Sequence, residues 1–443
     1  MLGEKLKTAF RDAAHYVREN KLQSAALLTS LLLGTTALAT PAISTALGAG
    51  VILAASIALL LETGKMTVQN TLALGTKFKL SGMALGLIIG SLNTIPEVMV
   101  SMQSVFRGAI ELGLGNIVGS NIAHTMFILG ATAALAGIGK AKDLGWKFNT
   151  LVMAGASAAF GSQMVYGHLV PEIGAAMILA GLGYLANRIY NAAKKETHDH
   201  HHGHDHHDHD HDHDHDHENP GTCVFHDHGD EKEDHKALER PRWLNLALAG
   251  GGMLGLTAAA DLIVRSGISL ADKFNFAAGG FDFTLSEAVV GAVIVAIGGA
   301  LPELKINYDA IKKNHSDLAV GNILGCTIVN TLIAGGALSL TGAPVPESFS
   351  PASPLGIFNI GMFMGTAALL TATLLATKGA MTRLQGGIAL SAYIAYFAGT
   401  LALGDGKTPP VHQHGHDSGF SRTYTQEKTA SRPILINNSS LSP

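Results

Sequence analysis

Two glutamates lie where carboxylates are rarely found. Glu97 closes the run Leu92-Asn93-Thr94-Ile95-Pro96-Glu97 and Glu303 closes Gly298-Gly299-Ala300-Leu301-Pro302-Glu303, both in apolar surroundings. No basic residue lies deep in a neighbouring apolar span to pair with either. An ionisable side chain inside a membrane span is costly and marks a functional site by default. Each glutamate follows a proline, which has no N–H and leaves the carbonyl four residues earlier without its helical partner. Those carbonyls belong to Leu92 and Gly298. In lipid, such breaks are tolerated where they line a cavity or bind something. Two carboxylates with neighbouring carbonyls balance one divalent ion, and Ca²⁺ takes about 6 to 8 oxygen ligands.

The two runs are copies. At a constant offset of 206 residues Pro96 falls on Pro302, Glu97 on Glu303, Leu112 on Leu318, Gly115-Asn116-Ile117 on Gly321-Asn322-Ile323, Gly119 on Gly325 and Thr125 on Thr331. The same offset sets Ser120 on Cys326 and His124 on Asn330, the last pair 27 residues after its glutamate. The Gly-x-x-x-Gly spacings at Gly115 to Gly119 and Gly321 to Gly325 are read as close helix packing, with the polar residues between them facing the gap. Glu111 and Asp317 also correspond; they fall at span ends and are read as helix N-terminal charges rather than ligands.

The elements that must position these residues are membrane helices. With 47% hydrophobic and 14% charged residues, the composition is that of a polytopic membrane protein and excludes an ordinary soluble enzyme. Cys223 and Cys326 lie far apart in different kinds of segment, so there is no disulfide framework. No basic domain suited to nucleic acid stands out. Apolar stretches long enough for a ~30 Å core fall at 22–40, 44–62, 82–106, 113–138, 148–166 and 170–188, then at 243–264, 286–310, 318–340, 355–376 and 385–403.

Lysine and arginine collect on one side if the N-terminus is cytoplasmic: Lys65, Lys77 and Lys79, then Lys140, Lys142 and Lys147, then Lys305, Lys312 and Lys313, then Lys378 and Arg383. The outer loops hold only Arg107, Arg265 and Lys273. This places the two copies in opposite orientations, the pattern of secondary transporters. The expected fold is therefore all-α: two inverted repeats of five transmembrane helices, a ten-helix core, plus one extra N-terminal hydrophobic helix. Its expected segments are 1–43 (a basic stretch and the extra helix), 44–188 (first half), 189–241 (linker), 242–403 (second half) and 404–443 (a polar, disordered tail). The stretch 22–40 has no counterpart in the second half, and Ala37-Leu38-Ala39 leaves a cleaved signal peptide as its alternative reading.

The copies resemble the alpha-repeats of the calcium:cation antiporter superfamily, the group that contains sodium/calcium exchangers, whose pattern is Gly-Thr-Ser-x-Pro-Glu followed by Gly-Asn-x-x-Gly-Ser-Asn-x-x-Asn or Asp. Ala259-Ala260-Asp261-Leu262-Ile263-Val264 resembles that family's first-helix signature. The resemblance spans roughly residues 44–403. It implies a midplane cation site between the repeats and alternating access by sliding of the first helix of each half. It also implies Glu97 and Glu303 as paired acidic ligands, with Asn93, Thr94, Ser120, His124, Asn330 and Cys326 around them; the carbonyls of Leu92 and Gly298, freed by the prolines, join this candidate set.

This sequence departs from the pattern at Gly299-Ala300, where hydroxyls are expected, at Cys326 for serine, at Thr327 for asparagine and at His124 for asparagine or aspartate. Lost hydroxyls weaken a sodium site, and an imidazole takes up a proton near neutral pH. His124 and Cys326 are also softer ligands, suited to Zn²⁺, Co²⁺ or Ni²⁺.

The linker carries a second constellation: His198, His200, His201, His202, His204, His206, His207, His209, His211, His213, His215 and His217, interleaved with aspartates. Imidazole and carboxylate at this density bind transition metals without one fixed geometry, which suits capture or buffering. A solvated spacer is the plainer reading. No His-x-x-x-Asp pair lies on a predicted span and no His-Glu-x-x-His occurs, which argues against zinc importers, cation-diffusion facilitators and intramembrane metalloproteases.

The expected activity is antiport of a divalent cation across a bacterial inner membrane in exchange for protons or sodium, with no enzymatic reaction and no resident cofactor. The expected partners are the cation, the counter-ion and membrane lipid. Calcium follows from the resemblance, while a transition metal follows from His124, Cys326 and the linker. A gated channel or a metal sensor stays open as another class.

Overall fold

The structure, a computed structural model, describes residues 11–12, 15–18, 20–35, 43–77, 94–139, 146–199, 239–278, 281–312 and 316–404. The first half holds α1 (Lys21–Thr35), α2 (Ala46–Lys77), α3 (Ile95–Arg107), α4 (Ile110–Ala136), α5 (Trp146–Tyr166) and α6 (Pro171–Asp199). The second holds α7 (Arg242–Lys273), α8 (287–312), α9 (316–339), α10 (Pro354–Thr377) and α11 (Arg383–Leu403). Among the described residues, six helices are long and apolar enough to cross a membrane: those at Ala46–Thr71, Ile110–Ala136, Arg242–Lys273, Ala319–Ser339, Glu347–Thr377 and Arg383–Leu403.

Local chemistry sets the boundaries. Ser353 opens α10 by accepting the Gly356 N–H at 3.0 Å. Thr382 and Gln385 form a reciprocal capping box at the start of α11, which satisfies two donors that the first turn leaves over. Gly108 ends α3 with φ +71°, a left-handed conformation that an L side chain resists.

Three features differ from the sequence expectation. Helix α2 continues to Lys77, well past the apolar stretch 44–62. Hydropathy reports where lipid contact stops, whereas a helix continues until its backbone is interrupted. The hydroxyls of Thr63 and Thr67 bond back to carbonyls one turn earlier within it. The all-α fold also carries one short hairpin between helices: Asn275–Ala278 (β1) pairs antiparallel with Phe281–Thr284 (β2), with Asn275 opposite Thr284. Gly279-Gly280 between two Phe-containing tetrapeptides is a strong hairpin signal. Finally, α8 runs without interruption through Pro302, so the second copy is not broken there. The wide-turn stretch of that helix lies earlier, at Val290–Val295.

The first helices of the two halves lie side by side. Gly50 of α2 faces Leu270 of α7, Gly64 faces Leu256, and Thr67 faces Gly252, so α2 and α7 run antiparallel. Helix α1 lies across both, with Leu27 against Gly251 and Gly255 and Gln23 donating to the Gln69 side chain at 3.0 Å. Arg107, at the end of α3, holds Asp261 of α7 at 2.6 Å.

The apolar core falls into two main parts. One is built by α4, α5, α9, α10 and α11 around Ile117, Phe160, Ile323, Phe363 and Tyr396. The other lies between the α2/α7 pair and the starts of α3, α4 and α8, around Leu53, Leu112, Leu256, Ile263 and Val290.

Helices α4 and α8 cross at backbone contact. A Cβ on Gly119 would lie 2.2 Å from the Ala292 carbonyl oxygen, and one on Gly115 would lie 2.8 Å from that of Ala288. The packing reading of this glycine pair therefore holds. By the offset of 206, the facing residues for Gly321 and Gly325 would be Gly82 and Gly86, outside the described residues.

Candidate cation site

The crossing of α4 and α8 aligns the chemistry of the two repeats. Glu97 sits in the first turn of α3, whose N-terminal position relieves Pro96 of any need for an N–H. Its backbone carbonyl accepts from the Asn116 side-chain amide at 3.0 Å, and the same amide donates to the Ser101 hydroxyl at 3.0 Å. The Glu303 carbonyl is held by Asn307, one turn along α8, at 2.7 Å. Each carboxylate is thereby fixed through its own backbone.

Two wide turns complete the frame. The chain departs from α-helical winding into π winding at Ala123–Ile128 in α4 and at Asn330–Gly335 in α9. Such single-turn bulges recur at functional sites, because they turn a side chain away from the regular helix face. His124 lies in the first of these turns and Asn330 opens the second. The turn of each repeat packs against the glutamate-bearing helix of the other: Ala123–Ile128 against α8, and Asn330–Gly335 against α3.

The result is a three-residue cluster drawn from both repeats. His124 Nε2 lies 3.1 Å from Glu303 Oε2 and 3.8 Å from Glu97 Oε1. One donor atom from each of Glu97, His124 and Glu303 lies within 4.8 Å of the others, a spacing that suits a metal ion. Their exposures are 1%, 0% and 3%, so nothing here is screened by bulk water. Among the described residues no lysine or arginine pairs with either carboxylate.

Both carboxylate oxygens of Glu97 and of Glu303, the Ser120 hydroxyl and both side-chain atoms of Asn330 are buried without a hydrogen-bond partner. Native interiors rarely leave such groups orphaned, and a cluster of them is suited to holding a cation or water. Cys326 is fully buried beside them, its thiol donating to the Asn322 side-chain oxygen at 3.8 Å. Thr94 is itself buried at the start of α3.

Other expected residues fall differently. Leu92 and Asn93 lie outside the described residues, as do His200 to His217; the backbone of α6 runs through His198. Gly298 turns its Cα toward Ile57 of α2, where a Cβ would lie 2.8 Å from the isoleucine, so the glycine admits the neighbouring helix. Gly299 faces the Glu97 carboxylate: a Cβ there would lie 3.1 Å from Oε1. The absent side chain is filled by the carboxylate of the other repeat. Glu111 lies in the first turn of α4, as its position at a span end suggested, and accepts from the Ser348 hydroxyl.

The sequence reading missed the anchoring role of Asn116, although its place in the repeated Gly-Asn-Ile triplet was a signal. It also missed the bond from Asn121 Nδ2 to the Thr331 hydroxyl at 3.0 Å, which ties one repeat to the other.

Comparison with known proteins agrees with this picture. The family described as sodium/calcium exchanger protein matches residues 48–189 and 244–402, well over half of the chain. The chain belongs to the sodium/calcium exchanger family. It is therefore an integral membrane protein and a cation antiporter.

Among curated relatives, the putative antiporter CaxA of Alkalimonas amylolytica is 25% identical over 344 residues, covering 77% of this chain and 94% of that protein. The inner membrane protein YrbG of Escherichia coli strain K12 is 25% identical over 285 residues, covering 62% and 74%. A solved structure of the sodium-calcium exchanger NCX_Mj is similar at 19% identity over 84% of this chain and 98% of that chain, with a TM-score of 0.47.

Proposed function

We propose that the chain exchanges one divalent cation for protons or sodium, with Glu97, His124 and Glu303 forming the site that opens alternately to the two sides. The observation that carries this reading is the convergence of three buried donors from both repeats within 4.8 Å, with no lysine or arginine among the described residues paired to the carboxylates. Two unpaired carboxylates in a dry interior each cost several kcal/mol. A dication or its equivalent in smaller cations offsets that cost, and exchange follows if the site is never left empty.

Protons are the favoured counter-ion. Gly299 and Ala300 supply no hydroxyl to a sodium site, the space beside Gly299 is taken by Glu97, and His124 is an imidazole. The antiparallel α2/α7 pair, packed through an apolar cluster apart from the main bundle, is the element whose movement would open one side and close the other. Calcium is the substrate that the family and the name of one relative suggest: a 112-residue stretch is 27% identical to the sodium/calcium exchanger MaX1 of Methanosarcina acetivorans.

The test is ion uptake in proteoliposomes loaded with a pH dye, offering Ca²⁺, Zn²⁺, Co²⁺, Ni²⁺ and Mn²⁺ in turn with and without a sodium gradient, for wild type and Glu303→Gln. Uptake coupled to counter-ion movement and lost in the variant is the expected result. Uptake without any counter-ion requirement would make the protein a channel, and no flux in either protein would make it a sensor; both outcomes reject exchange.

A further inference from the structure

We infer that the substrate of this site is a transition-metal dication that accepts an imidazole nitrogen, of the Zn²⁺, Co²⁺, Ni²⁺ or Mn²⁺ class, rather than Ca²⁺, with His124 as a direct ligand. The inference rests on the antiport reading above and specifies what that site carries.

Three observations support it. First, the imidazole is central. Nε2 lies 3.1 Å from Glu303 Oε2 and 3.8 Å from Glu97 Oε1. Any ion bridging the two carboxylates meets the nitrogen as its next neighbour. Metal bonds of about 2.0–2.2 Å to N and O donors set adjacent donors roughly 3.0–3.5 Å apart in tetrahedral or octahedral sites. The nearer of these separations falls in that range, the farther is slightly beyond it, and with all three donors within 4.8 Å of one another a bound ion would draw the two carboxylates together.

Second, the ligand chemistry is wrong for calcium. Ca²⁺ takes about 6 to 8 oxygens and no nitrogen, whereas imidazole suits zinc, nickel and related ions. The repeat supplies its own control, because the position equivalent to His124 in the second copy is Asn330, which offers an amide oxygen. The nitrogen enters only where the symmetry is broken.

Third, the oxygen shell is thinned and softened elsewhere. Gly299 and Ala300 carry no oxygen on their side chains, and a serine position is taken by Cys326, whose thiol is buried against Glu303 and Thr94. Sulfur adds nothing to a calcium site and is compatible with the borderline dications.

The experiment has a transport arm and a binding arm. In the transport arm, wild-type proteoliposomes are offered Zn²⁺, Co²⁺ or Mn²⁺ against a large excess of Ca²⁺, and the ratio is compared with that of His124→Asn, which installs the residue of the second repeat. Transition-metal uptake should persist under excess Ca²⁺ in wild type. His124→Asn should move the preference toward Ca²⁺ by at least about tenfold, the lower end of what altering a metal site costs in affinity.

The binding arm needs no flux. Co²⁺ is titrated into the detergent-solubilised full chain, and the visible spectrum of the Glu97→Gln/Glu303→Gln variant, which keeps residues 198–217, is subtracted. A difference band that His124→Asn removes supports the inference.

Ca²⁺ exchange without transition-metal uptake would overturn the inference and leave antiport standing. Absence of flux for every ion would reject antiport; the inference would fall as well unless the His124-dependent Co²⁺ band is present. A Co²⁺ band unchanged by His124→Asn would overturn the inference, leaving His124 as a structural bridge between two carboxylates.

Discussion

The two repeats share a frame and differ in their ligands. Both place a glutamate after a proline, both hold that glutamate's backbone carbonyl with an asparagine amide, and both enter a π turn at the position 27 residues later or one before it. Yet His124 faces the position of Asn330, Ser120 that of Cys326, and Asn93-Thr94 that of Gly299-Ala300. The difference follows from what each part must do. Backbone geometry is needed in both halves, so proline and glutamate are repeated, but the clamp is not: Asn116 reaches Glu97 from the next helix, whereas Glu303 is held by Asn307, which the offset sets on Ser101. One ion between the halves meets a single set of ligands, and each half need not supply the whole set. Gly299 illustrates the trade: one copy gives up a side chain and the carboxylate of the other occupies the space.

Substitutions can break the frame without touching the ligands. The largest effect is expected at the α4/α8 crossing. Gly119→Val would force the helices apart, since even a Cβ lies 2.2 Å from the Ala292 carbonyl. One extra methylene in a packed interior costs about 1–3 kcal/mol, and valine adds more than one carbon against rigid backbone. Thermal melts of purified protein should show a loss beyond that range, whereas Gly155→Ala, on an exposed face of α5 with nothing within 4 Å, should be neutral or stabilising by up to about 1 kcal/mol. Equal melting of Gly119→Val and wild type would mean that the close crossing is not what holds His124 against Glu303.

A smaller effect is expected from Asn121→Ala, which removes the bond between the repeats. The expected loss is about 0.5–1.5 kcal/mol. Thr327→Val at the equivalent position of the second repeat removes only a hydroxyl bonded back to Ile323 within its own helix, so it should cost less. If the two cost the same in a denaturant melt, the cross-repeat bond contributes nothing beyond a local one.

Much of this was legible because duplication writes the site twice. The ungapped offset singles out Glu97 and Glu303, the resemblance to the alpha-repeats adds His124, and the structure brings those three together. The periodicity of apolar stretches located the helices but not their ends. Hydropathy does not register a polar helix continuing past the lipid, which is why α2 proved longer. Proline signals marked both copies, but a proline needs an interruption only where the helix cannot bend around the missing bond, and α8 continues through Pro302. The π turns had no sequence signature; they lie where each repeat packs on the glutamate-bearing helix of the other. Asn116 was visible as part of a repeated triplet, but its role as a clamp on the Glu97 backbone depends on the approach of α4 to α3.

The central claim is that the two repeats build one shared cation site. Its most direct measurement is the number of divalent ions bound per chain in wild type, Glu97→Gln and Glu303→Gln, each counted above the double variant so that ions held by the histidine-rich linker cancel. One additional ion is expected in wild type, and in each single variant its affinity should fall by about two orders of magnitude or more, because loss of one partner from a buried charged cluster costs about 3–5 kcal/mol. An ion retained at wild-type affinity by either single variant would contradict the claim and divide the site into two independent halves.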